Sequence, residues 1–75
     1  MPHLSPISPK KLIKLLEREG FVCIKTKGSH YFFLNHINKR TTTVPLHGNK
    51  DIGVGLLHKI IKDIEMSAEE FKKKL

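Results

Sequence analysis

Residues 21–34 have the sequence FVCIKTKGSHYFFL, which predicts the centre of the fold. Two runs rich in β-branched and aromatic residues flank a short polar break, Lys27-Gly28-Ser29. This pattern predicts an antiparallel β-hairpin, because a short break that contains glycine lets the chain reverse its direction. After a polar turn, residues 41–46 (TTTVPL) predict a third strand. Pro45 favours an edge position or a strand end, since proline cannot donate a hydrogen bond to a neighbouring strand.

Three helices are predicted around this three-stranded meander. The first spans about residues 9–19, between a Ser-Pro pair that favours a helix start and Gly20, which favours a helix end. The second follows the glycine-rich loop 47–55 and has one apolar stripe at helical spacing, formed by Leu56, Leu57, Ile60, Ile61 and Ile64. The third is short and begins at a capping-box sequence at residues 67–70.

The predicted order of elements is α-β-β-β-α-α in a single domain, residues 1–75. An α+β fold with the helices packed on one face of a three-stranded antiparallel sheet is the compact way to bury each apolar stripe. Residues 1–7 contain two prolines and no periodic pattern, so we expect them to form a loose N-terminal arm.

The distribution of charge favours a polyanionic partner. The chain has 14 Lys or Arg and 7 Asp or Glu, which gives a formal net charge of +7. Residues 1–50 hold nine basic and two acidic residues, whereas residues 51–75 hold five of each. The whole excess therefore lies in the first two-thirds of the chain, as expected of a nucleic-acid-binding protein. A basic surface that only aids solubility is the alternative.

Composition also limits the compartment. No stretch approaches the roughly 18–20 apolar residues that a membrane span needs, and the N-terminus lacks the pattern of a secretory signal. The single cysteine, Cys23, cannot form an intramolecular disulfide. We therefore expect a protein of the reducing cytoplasm, with no membrane partner.

His30 is the strongest catalytic candidate among the five histidines. It begins the second strand directly after Gly28-Ser29, in a hairpin that also contains lysines. Strand alternation places it on one face with Phe32 and Leu34, which we expect to belong to the core. Its position at the end of the strand would nevertheless leave the imidazole partly exposed. Histidine can gain and lose a proton near neutral pH, as a general acid or base must.

The loop HGNKDIGVG at residues 47–55 resembles a phosphate-binding loop. Small residues let backbone N–H groups approach an anion, Lys50 adds positive charge, and the start of the following helix adds a favourable dipole. An ordinary structural turn would use the same residues, so both interpretations stay open. His47 is a candidate for a second proton-transfer group, with water as the alternative.

Metal-dependent chemistry is not expected from this sequence. Sites built from cysteine pairs are excluded by the lone cysteine, and no two carboxylates have a spacing typical of two-metal nucleases. A histidine metal site is compatible with the spacing, but it would lack cysteines and a nearby carboxylate. We therefore expect neither a metal nor another cofactor.

Several short motifs resemble the HicA toxins of bacterial and archaeal toxin–antitoxin pairs. They cover about residues 7–72 and are Gly20-Phe21, Lys27-Gly28-Ser29-His30, Thr43-Val44-Pro45 with His47, Gly55-x-Leu57-x-x-Ile60-Ile61, and Ser67-x-Glu69-Glu70-Phe71. The resemblance implies a fold like that of double-stranded-RNA-binding domains, cleavage of mRNA, and a cognate HicB antitoxin as partner. It departs from the family at Ile52-Gly53-Val54, where a polar or basic residue is frequent, and at Tyr31, where another histidine is frequent.

The resemblance also makes His30 the catalytic histidine, because the family's histidine follows a Gly-Ser or Gly-Gly step. Combined with the charge pattern, it predicts an RNA-binding surface that comprises Lys25, Lys27, Gly28, Ser29, His47 and Lys50. The expected function is that of a type II toxin, a metal-independent endoribonuclease. A non-catalytic double-stranded RNA-binding module and a protein–protein adaptor are the alternatives.

Overall fold

The computed structural model describes residues 3–75 and contains the elements in the predicted order. The helices and strands are α1 (Pro9–Arg18), β1 (Phe21–Lys27), β2 (His30–Asn35), β3 (Thr41–Pro45), α2 (Val54–Asp63) and α3 (Ala68–Lys74). The strands form one antiparallel sheet in the order β1-β2-β3, so β2 is central. The α+β class and the meander are confirmed, and Pro45 ends an edge strand as predicted.

Local sequence signals set the ends of the helices. The Ser8 hydroxyl accepts a hydrogen bond from the backbone N–H of Lys11 at the start of α1. At the start of α3, Ser67 and Glu70 exchange side-chain to backbone hydrogen bonds of 3.1 and 3.2 Å. The residue that precedes α2 is Gly53, which has no side chain to accept from the first N–H groups of that helix. These N–H groups are therefore available to another acceptor.

The hydrophobic core lies between the helices and one face of the sheet. It includes Leu12, Leu15 and Leu16 of α1, Leu57, Ile60 and Ile61 of α2, Phe71 of α3, and Phe21, Phe33 and Val44 of the sheet. No helix within residues 3–75 has the length and apolar character needed to cross a membrane.

The face of β2 that packs in the core is the opposite of the expected one. Phe33 is only 2% exposed, and Tyr31 is partly buried against the core. Phe32 and Leu34 lie on the other face with His30, and we call this the open face of the sheet. The expectation that Phe32 and Leu34 belong to the core is therefore wrong. The alternation was correct, but both faces of this strand are apolar, so the sequence pattern does not indicate which one the helices cover.

The N-terminal segment is packed rather than loose. Leu4 and Ile7 are buried. Ile7 and Ile52 exchange two backbone hydrogen bonds, of 3.1 and 2.8 Å, across an isolated antiparallel bridge. The expectation of a loose arm over residues 1–7 is thus wrong for residues 4–7, while Met1 and Pro2 lie outside the described residues. The bridge holds the loop before α2 against the core.

The pairing of β1 with β2 is irregular near its middle. The register shifts between Cys23 and Lys25, which leaves Ile24 as an extra residue in a β-bulge. Ile24 lies on an edge strand and is 53% exposed. Beyond this point Lys25 is opposite Phe32, so the bulge determines which side chains of β1 lie beside those of β2.

A buried amide connects the end of α1 to the sheet. The Asn35 side chain donates to the carbonyl of Glu19 at 3.1 Å and accepts from the N–H groups of Ile37 and Asn38 at 2.9 and 3.3 Å. Gly20, which has φ +92°, lies against this amide, and a Cβ there would be 3.2 Å from the Asn35 nitrogen. The glycine is therefore required both by its backbone conformation and by the close approach.

We predict that Asn35→Ala lowers the free energy of unfolding by about 2–3 kcal/mol, since three backbone groups lose their partner. Asn38→Ala is the matched control, because the Asn38 side chain accepts one exposed hydrogen bond from the N–H of Arg40. We expect it to lower stability by less than about 1 kcal/mol. Urea denaturation measures both values, and equal losses would contradict the role given to Asn35.

Candidate active site

His30 is exposed at the first position of the central strand. In the sheet it is opposite Lys27 of β1 and Pro45 of β3. These three residues form a row across one end of the open face. Directly opposite residues of an antiparallel pair have Cβ atoms about 4.5–5.5 Å apart. The Lys27 ammonium and the His30 imidazole can therefore contact the same group of a bound ligand.

The turn before His30 is held against the end of β3. It has two central residues, Gly28 and Ser29, because Lys27 pairs with His30. Gly28 has φ +60°, a left-handed value that favours glycine in tight hairpin turns. The Ser29 carbonyl accepts a hydrogen bond of 2.7 Å from the backbone N–H of Leu46, just after β3. This bond brings the loop between β3 and α2 next to the hairpin turn.

That loop encloses a hollow of about 260 Å³ at the start of α2. His47 and Lys50 line the hollow together with Asp51, and Gly53 contributes the uncapped end of the helix. The backbone N–H of Lys50 donates to the carbonyl of His47 at 3.1 Å, which keeps the loop compact. One ammonium, one imidazole, one carboxylate and backbone N–H groups therefore meet at this end of the molecule.

Pro45 connects the two parts of the candidate site, since it lies opposite His30 and also lines the hollow. The structure thus places Lys27, Gly28, Ser29 and His30 together and places His47 and Lys50 in the adjoining hollow. Lys25 lies one row further along the open face, where its ammonium is 5.7 Å from the centroid of the Phe32 ring.

The structure adds one cation that the sequence patterns did not assign to the site. A second hollow, of about 400 Å³, lies between the first turn of α1 and the same loop. Lys10 lines it together with Leu46, Gly48 and Asn49. The sequence predicts only that Lys10 lies on the first helix. The position of that helix beside the loop depends on the bridge between Ile7 and Ile52, which are far apart in the sequence.

The charge of the sheet is uniformly positive. Residues 21–45 contain four Lys or Arg and no Asp or Glu. Within residues 3–75, the ion pairs join Arg40 to Glu65, Lys59 to Asp63 and Lys74 to Glu19. The lysines at the end of the sheet that carries His30 are not among these groups, so their charge is available to an anionic partner.

Metal ligands are not clustered in the part of the chain that the structure describes. Within residues 3–75, no three His, Cys, Asp or Glu side chains come together as a candidate metal site.

A family comparison identifies the chain. The model of the family described as HicA toxin of bacterial toxin-antitoxin matches residues 9–66. This range contains α1, the complete sheet, α2 and every residue of the candidate site. Neither a curated protein nor a solved structure gives a significant match. Because the matched range is well over half of the chain, this protein belongs to the HicA family of toxins from bacterial toxin–antitoxin systems.

Proposed function

We propose that this protein is the toxin of a type II pair and a metal-independent endoribonuclease that cleaves mRNA, with His30 as its catalytic residue. The observation that carries the proposal is the exposed His30 side chain at the first position of β2, in one row with Lys27 and beside the hollow that His47, Lys50 and Asp51 line. Family membership implies a cognate antitoxin, for which we propose a HicB-type protein. Toxin, antitoxin and mRNA would meet in the cytoplasm.

RNA carries its own nucleophile, so few protein groups are required. In the proposed reaction His30 accepts the proton of a ribose 2′-hydroxyl, and the oxygen attacks the adjacent phosphorus in line. The bond from phosphorus to O2′ forms while the bond to O5′ breaks. The leaving 5′-oxygen takes a proton from His47 or from water. The products are a 2′,3′-cyclic phosphate and a free 5′-hydroxyl.

The remaining site residues would bind the phosphate chain. Lys27 is opposite His30 and would stabilise the negative charge that develops on the phosphorane oxygens. Lys50 and the free N–H groups after Gly53 would hold a neighbouring phosphate at the positive end of α2. Lys25 and the Gly28-Ser29 turn would contact the RNA on the other side of His30. In this proposal His30 transfers the proton, and the lysines and backbone N–H groups provide most of the RNA affinity.

We predict that His30→Ala lowers the rate of cleavage of a single-stranded RNA by about 10²–10⁴-fold, because the proton acceptor is lost. RNA affinity should change only a few-fold, since it depends mainly on lysines. His36→Ala is the matched control, because His36 is an exposed histidine in the turn at the opposite end of the sheet. It should cleave normally.

The same variants can be compared in cells. Induced expression of the unmutated chain and of His36→Ala should arrest growth and fragment mRNA, while His30→Ala should do neither. Full activity of purified His30→Ala would exclude the proposed catalytic role. Binding of double-stranded RNA by the unmutated chain, without any fragments, would favour the non-catalytic module.

We predict that the nuclease remains active in EDTA and leaves 2′,3′-cyclic phosphate ends, because proton transfer and charge stabilisation are assigned to side chains. Mass spectrometry of the fragments identifies their ends. Cleavage after exhaustive dialysis against the chelator tests whether the reaction requires a metal ion. A deoxyribose at the scissile position should prevent cleavage there, since the nucleophile is missing. Loss of activity in the chelator that added Mg²⁺ restores would contradict this mechanism.

We predict that RNA affinity falls steeply with added salt, because each phosphate contact displaces bound counterions. Lys27→Gln and Lys50→Gln should each reduce the slope of log K against log salt by roughly 0.7, the value for one contact to a single strand. Lys39→Gln is the control, as Lys39 lies in the turn at the far end of the sheet. Fluorescence anisotropy at several salt concentrations measures the slopes, and equal slopes for all variants would place the RNA elsewhere.

A further inference from the structure

The open face of the sheet carries an aromatic ring beside the candidate catalytic group. Its side chains lie in three cross-strand rows, Lys27–His30–Pro45, Lys25–Phe32–Thr43 and Val22–Leu34–Thr41. Phe32 is in the middle row of the central strand, on the side of the sheet that the helices do not cover. Phe32 is partly buried on this face and does not belong to the core, in contrast to its neighbour Phe33.

The distance between Phe32 and His30 suits a nucleotide whose phosphate lies at His30 and whose base lies at Phe32. Residues two apart in a strand are on one face and about 6.6 Å apart along it, from a rise of about 3.3 Å per residue. A phosphate at His30 thus leaves the attached nucleoside within reach of the Phe32 ring. The Lys25 ammonium lies over the Phe32 ring, 5.7 Å from its centroid, so a base that stacks on this face takes the place of the ammonium. The exposed Lys25 side chain can then contact the adjoining phosphate instead.

We propose that Phe32 is a base-stacking residue that holds one unpaired base of the RNA next to the phosphate at His30. This inference rests on the proposed function and identifies the form of its substrate. Aromatic side chains on the exposed face of a sheet stack unpaired bases in other RNA-binding folds. The stacked base would orient the ribose for in-line attack.

Charge and geometry favour an unpaired RNA over the other possible occupants of this face. Residues 21–45 contain no Asp or Glu, so every charged side chain of the sheet near the ring is a cation, which fits a phosphate chain. A duplex conceals the faces of its bases and would leave the ring unused. In-line attack also requires a nucleotide that can rotate out of regular A-form geometry. An apolar protein segment would gain nothing from Lys25 and Lys27.

The test measures stacking directly, in a His30→Ala background that leaves the RNA intact. The probe is a short single-stranded RNA with 2-aminopurine at successive positions, since stacking on an aromatic ring quenches its fluorescence. Phe32→Leu keeps an apolar side chain of similar bulk but removes the π face, and Phe32→Tyr keeps the π face. Ile37→Ala removes another exposed apolar side chain, 92% exposed in a turn away from His30.

We predict that Phe32→Leu and Phe32→Ala abolish the quenching at one position and weaken binding by roughly 5- to 150-fold, the range for one stacked base. Phe32→Tyr should retain both signals, and Ile37→Ala should not change them. With His30 restored, Phe32→Leu should raise KM and slow cleavage of single-stranded RNA, while a matching duplex remains a poor substrate. Circular dichroism confirms that each variant is folded, and the Leu and Tyr variants decide the outcome if Phe32→Ala is not.

Three results would overturn the inference. They are normal quenching and affinity in Phe32→Leu, duplex RNA bound as tightly as single-stranded RNA, or loss of antitoxin binding alone in the Phe32 variants. None of them affects the loss of cleavage expected of His30→Ala, so the proposed function would stand. Conversely, cleavage by His30→Ala would remove the proposed function. A 2-aminopurine probe with 2′-O-methyl riboses, which lacks the nucleophile, would then still report whether a base stacks on Phe32.

Discussion

Burial of Phe33 against the helices orients every other side chain of the central strand, because successive residues of a strand point to opposite faces. His30 lies three positions before Phe33 and therefore faces away from the core. A slip of one residue in the register would exchange the faces and bury the imidazole. The candidate catalytic group thus depends on a packing contact in which it takes no part. Asn35, two positions after Phe33, supports the same orientation by bonding to the end of α1.

Two long-range backbone contacts position the rest of the candidate site. The bond from Leu46 to Ser29 holds the loop beside the hairpin turn, and the bridge between Ile7 and Ile52 holds its other end against the core. The loop can therefore contain glycines, which suit a close approach to phosphate, without losing its place. Few side-chain contacts are needed for this, so His47 and Lys50 remain on the surface.

The sequence predicted those features that depend on neighbouring residues. The Ser67–Glu70 capping box, the end of α1 at Gly20 and the hairpin that turns after Lys27 all follow local rules, and the structure has each of them. His30 was selected in the same way, from its place after that turn. The face of β2 that the helices cover was not predictable, because each face carries a phenylalanine, Phe32 on one and Phe33 on the other. The packing of residues 4–7 and the approach of Lys10 to the loop were missed, since both depend on pairing with Ile52, 45 positions from Ile7.

The bulge at Ile24 has a consequence for the behaviour of the free protein. An edge strand with exposed apolar residues such as Val22 and Ile24 offers unpaired backbone groups to another chain, which is the usual route to intermolecular β-aggregation. The extra residue disturbs the straight, regular edge that such stacking requires, and Lys25 and Lys27 add repulsion between copies. The sheet can in this way keep an open face for a ligand beside an edge that is poorly suited to pairing with a second copy.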